Sequence, residues 1–420
     1  MRDKILSCVE NQNRWRRKEC LNMIASENVM SPLAEKLFVS DFEGRYNEHE
    51  VKVKEGKLEF VTHYQGLKYA VEIEMLCDEI FSKRFHTPFV DTRAISGSVA
   101  NLCVYRAFLK PGDVFVSPGL TAGGHVSSTK YGIAGSIGLK DVEMVFDEKE
   151  MVCDVEKTVK LIKELNPKLI MLGRSVFLFP EPIKELREAI SSEIKIIYDA
   201  AHVFGLIYAG EFQKPLEEGA DIITASTHKT FPGPQGGIII GNKNLDEKDW
   251  KKILNSIFPG TISNHHIHRL PSLAITALEM NEFGEDYAKQ TIKNAQAFAQ
   301  AMYELGFKVL CPEKGFTRSH QVLIDVRELG GGKLVAEKME ENNIIINKIG
   351  LPWDKDKDVT QNPSGVRIGL QELTRWGMKE KDMSIVAKFY EKILMKGLNV
   401  KEEVIELKNQ FQEIKYRFGD

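Results

Sequence analysis

A chain of 420 residues is longer than one hydrophobic core usually serves, so two domains are expected. Its 43% hydrophobic and 28% charged content is ordinary for a globular protein, and a net charge of −3 gives no electrostatic case for a nucleic-acid partner. No apolar run approaches the ~20 residues of a membrane-spanning helix, so no membrane association is expected.

In chain order, the opening MRDKILSCVENQNRW lacks the apolar stretch of a signal peptide. The basic run Arg14-Trp15-Arg16-Arg17-Lys18 meets Glu19 at once and reads as a solvated helix face. From about 90 to 241, β-like runs alternate with helix-like ones. A strand over 89–95 precedes a helix over 100–109. Amphipathic segments 155–165 and 183–190 stand beside apolar runs 168–172 and 194–198. Apolar runs at 222–223 and 238–240 close the series. This alternation predicts a mostly parallel sheet wrapped by helices.

Residues 273–305 carry Ala295, Phe298, Ala299 and Met302 at helical spacing, a helix long enough to bridge to a second domain. Beyond it, strands over 321–326, 344–347 and 366–369 mix with helices over 333–342 and 381–394. Val404, Leu407, Phe411 and Ile414 predict a packed terminal helix over 401–414. The expected division is an N-terminal arm and large domain over 1–280 and a smaller α+β domain over 281–420, with a soft boundary at 275–290. Gly330-Gly331-Gly332-Lys333 lacks a P-loop's spacing and reads as the start of a helix. His265-His266-Ile267-His268 has no companion ligands at suitable spacing, so no metal is expected. Cys8, Cys20, Cys77, Cys103, Cys153 and Cys311 are too widely spaced for a zinc site or disulfide framework, which favours reduced thiols in the cytoplasm.

The chemistry gathers around Lys229. An apolar run ends in Ser226-Thr227-His228-Lys229, and Gly233-Pro234-Gln235-Gly236-Gly237 follows. Another apolar run ends at Asp199. In a parallel sheet the C-terminal strand ends share one edge, so Asp199 and Lys229 can face one crevice. A poised amine beside a carboxylate suits pyridoxal phosphate: the amine condenses with the aldehyde and the acid keeps the pyridine nitrogen protonated. A buried ion pair is the bland alternative. Ser96-Gly97-Ser98, between a strand and a helix, offers an anion hydroxyls and helix-terminal N–H groups, although it serves equally well as an N-cap. Gly123-Gly124-His125 could lay an imidazole on a flat ring. Arg367, inside the apolar run Val366–Gly369, wants a carboxylate, from an amino-acid substrate or from an internal salt bridge.

Together these stretches resemble the serine hydroxymethyltransferase family. They are Ile24-Ala25-Ser26-Glu27-Asn28, Ser96-Gly97-Ser98-Val99-Ala100-Asn101, Gly123-Gly124-His125, Asp199-Ala200-Ala201-His202, Ser226-Thr227-His228-Lys229-Thr230, Gly233-Pro234-Gln235-Gly236-Gly237 and Ser364-Gly365-Val366-Arg367-Ile368-Gly369. They span nearly the whole chain in the family's order. Gln235 and Ser263-Asn264-His265-His266 look most like the archaeal branch.

The resemblance implies an α/β fold of the aspartate-aminotransferase type (pyridoxal phosphate fold type I), with a large mixed, mostly parallel sheet domain and a small α+β domain. It implies that Lys229 carries the coenzyme, Asp199 partners its pyridine nitrogen and His125 stacks on its ring. Ser175 and His202 would lie near its phenolic oxygen. Ser98 would bind phosphate, with Ser96, Gly97, Ser226 and His228 also at the cofactor. Arg367, Ser26 and Tyr64 would hold a small amino-acid substrate. Tyr46 and Glu48 resemble the family's Tyr-x-Glu, where the glutamate moves a proton at the one-carbon unit, usually across a homodimer interface.

Two departures fall on the one-carbon carrier's side. The family's short segment after Tyr-x-Glu is here a longer charged stretch over 47–63, with His63 replacing the first of two tyrosines before Gln65-Gly66. Ile349 stands where an asparagine commonly faces the pterin. The lengthened loop, and Thr230-Phe231-Pro232-Gly233-Pro234-Gln235, also look like the threonine transaldolases, relatives that need no pterin. Three functions therefore stand. The first is a hydroxymethyltransferase using tetrahydrofolate or tetrahydromethanopterin. The second is a pterin-independent aldolase or transaldolase. The third is a catalytically silent pyridoxal-phosphate-binding partner, from which loss of the lysine, acid or arginine would be expected.

Overall fold

A computed structural model describes residues 1–54, 57–355 and 361–419, with backbone alone at 52–54 and 57–59. Two compact units emerge: Met30–Glu285 with Phe418 and Gly419, and Met1–Val29 with Asp286–Arg417. The chain changes unit within one 36-residue helix, Arg269–Glu304. This grouping differs from the expected 1–280 and 281–420 in the N-terminal stretch. Strand Leu21–Asn22 pairs in parallel with Ile344–Ile345, and Leu21 and Met23 enter the core beside Phe298 and Met339. That burial ties the first residues to the last third of the chain.

In the first unit a seven-stranded sheet runs in the order Val90–Asp91, Gly237–Gly241, Ile222–Ser226, Lys195–Asp199, Leu169–Leu172, Val114–Ser117, Lys140–Glu143. Neighbours from Ile222–Ser226 through Lys140–Glu143 pair in parallel, while Gly237–Gly241 is antiparallel to both its neighbours. The central strands are buried along their whole length, which is why they read as unbroken apolar runs. Ala100, Cys103 and Val104 of helix Gly97–Phe108 and Trp250, Ile253 and Ile257 of helix Glu247–Ile257 share a core with Met171, Ile197 and Ile239.

The strand expected over 89–95 shrinks to Val90–Asp91. Asp91 Oδ1 accepts the Arg93 N–H at 2.9 Å and its carboxylate pairs with the Arg93 guanidinium at 2.6 Å, a local turn that competes with the ladder. The lengthened stretch after Glu48 forms an antiparallel hairpin, His49–Lys54 with Lys57–Thr62. Residues 55 and 56 of that charged stretch lie outside the described residues.

The second unit holds a four-stranded antiparallel sheet in the order Lys308–Val309, Gln321–Asp325, Gly365–Gly369, Asn347–Ile349. Ala295, Phe298, Ala299 and Met302, spaced for one helix face, are buried in its core. The single strand expected over 344–347 is two: Ile344–Ile345 pairs with the N-terminal strand and Asn347–Ile349 with Gly365–Gly369. Gly331, at φ 92°, caps helix Gly332–Glu341 in a conformation that favours glycine. The terminal helix stops at Asn409. Lys408 lies 3.7 Å over the Trp376 ring and donates to Phe411 O at 2.7 Å, turning the chain so that Ile414 is buried without helix. Among the described residues no helix is long and apolar enough to cross a membrane.

Candidate active site

Strand Ile222–Ser226 delivers its last residue to the C-terminal edge of the sheet, and Lys229 follows within three residues. The loop beyond folds back on itself. Thr227 N–H donates to Gly236 O at 3.1 Å, Gly233 N–H to Thr227 O at 2.9 Å, and Thr227 Oγ1 to Pro234 O at 2.7 Å. Thr230 Oγ1 donates to His202 O at 2.8 Å and accepts the Gly205 N–H at 2.9 Å, locking the lysine's flank to the segment after Asp199. Lys229 is 9% exposed, and its Nζ donates to Ser226 Oγ at 3.3 Å.

Asp199 ends the neighbouring parallel strand, in register with Thr224. Its Oδ2 accepts Asn101 Nδ2 at 2.8 Å and its Oδ1 the Ala201 N–H at 3.0 Å. Asn101 is itself oriented by Thr224, whose Oγ1 donates to Asn101 Oδ1 at 2.6 Å. The carboxylate is therefore fixed by two donors and a third residue behind them, as a preorganised group requires.

Ser96 caps helix Gly97–Phe108, its Oγ accepting the Val99 N–H at 3.1 Å. The first N–H groups of such a helix have no partner inside it and carry the positive end of its dipole. A Cβ on Gly97 would strike Ser226 Oγ, and one on Gly237 would strike the Ser96 carbonyl. Only glycine lets the helix start come this close to the strand ends.

His125 Nδ1 lies 3.2 Å from the Ser127 backbone nitrogen and 2.8 Å from Ser127 Oγ, which fixes the orientation of the ring. Ser175 hangs on the same loop, its N–H donating to Gly123 O at 2.7 Å. Burial, followed by the Lys229 charge, lowers the His228 pKa from an ordinary 6.5 to about 4, and its buried Nδ1 has no hydrogen-bond partner among the described residues.

That shift predicts a pH effect. The unfolded chain protonates His228 below 6.5 and the folded chain only near 4, so stability present above 6.5 is lost as pH falls through that window. The loss is on the order of 3 kcal/mol. Urea unfolding of the coenzyme-free protein between pH 7.5 and 4 should show it, and His228→Asn should remove it. Equal pH dependence of the two proteins would rule it out.

These side chains meet in one cavity of about 270 Å³, lined by Ser96, Gly97, Ser98, His125, Ser175, Asp199, His202, Ser226, His228 and Lys229, with Asn101, Arg174, Ala201 and Gln235. Asn101 had no assigned role in the sequence, although its place one helical turn past Gly97 puts it on the same face. Arg174 gave no signal at all. It forms a buried ion pair with Glu181 and donates to Ala122 O and Met151 O at 3.3 and 3.2 Å, bracing the loops below the cavity.

Tyr46, Glu48 and Tyr64 belong to the same unit but do not line this cavity. Tyr46 and Tyr64, 51% and 45% exposed, pack ring to ring at 5.4 Å, and Ser263 Oγ donates to Glu48. Ser26 and Arg367 belong to the other unit. There Gly369 N–H donates to Met23 O at 2.8 Å, so the strand carrying Arg367 runs beside the segment carrying Ser26. Arg367 Nε donates to Asn347 Oδ1 at 3.3 Å, and burial lowers its pKa to about 10.

An amine, a fixed carboxylate and a glycine-cleared helix terminus in one buried cavity are the donor set that pyridoxal phosphate needs for its aldehyde, ring nitrogen and phosphate. His228 Nδ1 supplies a further polar atom with no partner of its own among the described residues.

The family model described as serine hydroxymethyltransferase matches residues 1–390. The chain is 50% identical to the serine hydroxymethyltransferase of Sulfolobus acidocaldarius over 420 residues, covering 99% of this chain and 94% of that one. It is 48% identical to that of Staphylothermus marinus, covering 99% and 93%. Among solved structures, the L-threonine transaldolase of Pseudomonas fluorescens is similar, with a TM-score of 0.89, 28% identity and coverage of 99% of this chain and 93% of that one. The mixed α/β architecture is that of the pyridoxal-phosphate-dependent transferases of fold type I. The chain belongs to the serine hydroxymethyltransferase family.

Proposed function

We propose that this chain is a serine hydroxymethyltransferase, a pyridoxal-phosphate-dependent transferase that moves the hydroxymethyl carbon of serine to a reduced pterin, leaving glycine. The observation that carries the reading is that Asp199, at the end of one parallel strand, and Lys229, three residues beyond the end of the next, line one cavity. Pyridoxal phosphate, when bound, supplies an electron sink for the amino acid's Cα. Lys229 would hold its aldehyde carbon, Asp199 would keep a proton on its ring nitrogen, and Ser96–Ser98 with Ser226 would hold its phosphate. His125 would face the ring, with Ser175, His202 and His228 lining the same cavity.

Arg367, with Ser26, takes the substrate carboxylate: burial opposes the guanidinium's charge without removing it near neutral pH, and an incoming anion offsets that cost. Arg367→Lys should raise KM for serine by roughly 100-fold, the cost of losing a charge-assisted bidentate pair. Steady-state kinetics checks this, and an unchanged KM would remove Arg367 from the carboxylate.

Glu48 and Tyr46, with Tyr64, lie away from the cavity, on a partly exposed surface. This supports their serving the site of a second copy in a cytoplasmic homodimer. Mixing unfolded-and-refolded Lys229→Ala and Glu48→Gln proteins, each reduced to a small residual rate alone, should then restore about a quarter of wild-type activity through hybrid dimers with one intact site. No recovery would make each site self-contained.

A second reading, a pterin-independent aldolase or transaldolase, is favoured by the hairpin His49–Thr62 on the carrier's side and by the transaldolase likeness. Serine cleavage measured with tetrahydrofolate, with tetrahydromethanopterin and with no carrier decides between them. Turnover that needs a carrier supports the transferase. Turnover of threonine with free aldehyde, indifferent to carrier, overturns it. A catalytically silent role is disfavoured because lysine, acid and arginine are all present.

A further inference from the structure

Glu74 lies on helix Lys68–Phe85, is 1% exposed, and is no part of the Lys229 cavity. Three side chains converge on its carboxylate. Asn47 Nδ2 donates to Oε2 at 2.7 Å, His49 Nε2 lies 3.0 Å from Oε1, and His265 Nε2 lies 2.8 Å from Oε2. Asn47 and His49 are the two neighbours of Glu48. His265 is two residues beyond Ser263, whose hydroxyl donates to Glu48.

Backbone and amide contacts complete the lacing. Asn264 Oδ1 accepts the Asn47 N–H at 3.2 Å, and Asn264 Nδ2 donates to Arg45 O at 3.1 Å. Asn47 and His49 are buried while Glu48 between them is half-buried, the alternation of extended chain. Fixing 47 and 49 from one side therefore fixes the direction in which 48 points.

Among the described residues, Asp78 on the same helix, Arg93 beside the sheet edge and Arg269 at the start of the long helix are further charged groups that interact with it. Burial opposes a charge on Glu74, but His265 and His49 outweigh it and hold the carboxyl well below its usual range. An ionised carboxylate accepts the Asn47 amide and sets a negative charge against both imidazole edges; a glutamine amide removes that charge and one of the two acceptor oxygens.

We propose that Glu74 is a positioning residue for Glu48: one buried carboxylate clamps both segments that aim and hold the proton-transferring glutamate. The inference rests on the reading of Glu48 given above. A purely structural ion cluster would weaken the fold without any particular dependence on Glu48.

The test is Glu74→Gln in the coenzyme-loaded protein. Serine cleavage should fall tenfold or more in kcat, as roughly ångström misplacement does, with KM for serine and the coenzyme absorbance nearly unchanged. The decisive readout is the double variant: Glu74→Gln with Glu48→Gln should be no slower than Glu48→Gln alone. Losses that multiply, or a wild-type kcat in Glu74→Gln, overturn the proposal.

Hydrogen exchange gives an arm independent of the reaction. Peptides over 45–50 and 261–266 should exchange faster in Glu74→Gln, and those over 222–229 should not. Unchanged exchange over the two clamped segments also overturns it. Wild-type protein that fails to cleave serine refutes the reaction reading, and the exchange arm then decides the clamp alone. If Glu74→Gln does not fold, His265→Gln, which breaks one of the three contacts, carries the same kinetic and exchange tests.

Discussion

Lys229→Ala should lower serine cleavage by roughly 10⁴-fold or more and leave a protein from which gel filtration strips the coenzyme. The amine is the covalent anchor in the proposed assignment, and among the described residues no other lysine lines the cavity. The fold should survive. The surrounding loop is held by Thr227, Gly233 and Thr230 through bonds that the lysine side chain does not make. Absorbance of the loaded protein before and after desalting, with circular dichroism as the folding control, reads both parts. A variant that keeps its colour and turns over serine at even a tenth of the wild-type rate would remove Lys229 from the chemistry.

The second large effect is expected at Asp199→Asn. Both carboxylate oxygens already accept, one from Asn101 Nδ2 and one from the Ala201 N–H. An asparagine amide must turn its NH2 toward one of these donors, so the change loses a charge and sets donor against donor. With no anion to keep the coenzyme nitrogen protonated, kcat should fall by roughly 10²–10³, the range seen when one preorganised charge-stabilising group is removed. Coenzyme affinity should fall with it. Asn101→Ala should show a weaker form of the same defect, because Asn101 only aims the acid. Activity of Asp199→Asn within tenfold of wild type would mean that the ring nitrogen needs no acid here.

The strand-end lysine and acid were legible because a general rule, that ligands collect where parallel strands end, turns two short motifs into a shared edge. Ser96-Gly97-Ser98 was legible as a helix start, and the four apolar residues of 295–302 as one face. Asn101 was not, because its importance comes from Thr224 and Asp199, each about a hundred positions away or more. Glu74 was less legible still. In the helix Lys68–Phe85 it looks no different from Glu72 or Glu79, which stay on the surface. Only the packing of His49 and His265 against it separates a buried charge from solvated ones. The strand pairing of Leu21 with Ile344 and the stop of the last helix at Asn409 depended likewise on tertiary partners, which local periodicity does not encode.

The pairing of Leu21–Asn22 with Ile344–Ile345 sets an order of events during synthesis. The early strand leaves the ribosome roughly 320 residues before its partner exists, a wait of some tens of seconds at ordinary elongation rates. Through that interval a short apolar edge must stay soluble in a nascent chain. A shortened chain lacking its first two dozen residues would deprive the last-made unit of a strand and of two core side chains, so damage at the start should be felt as failure to close at the end.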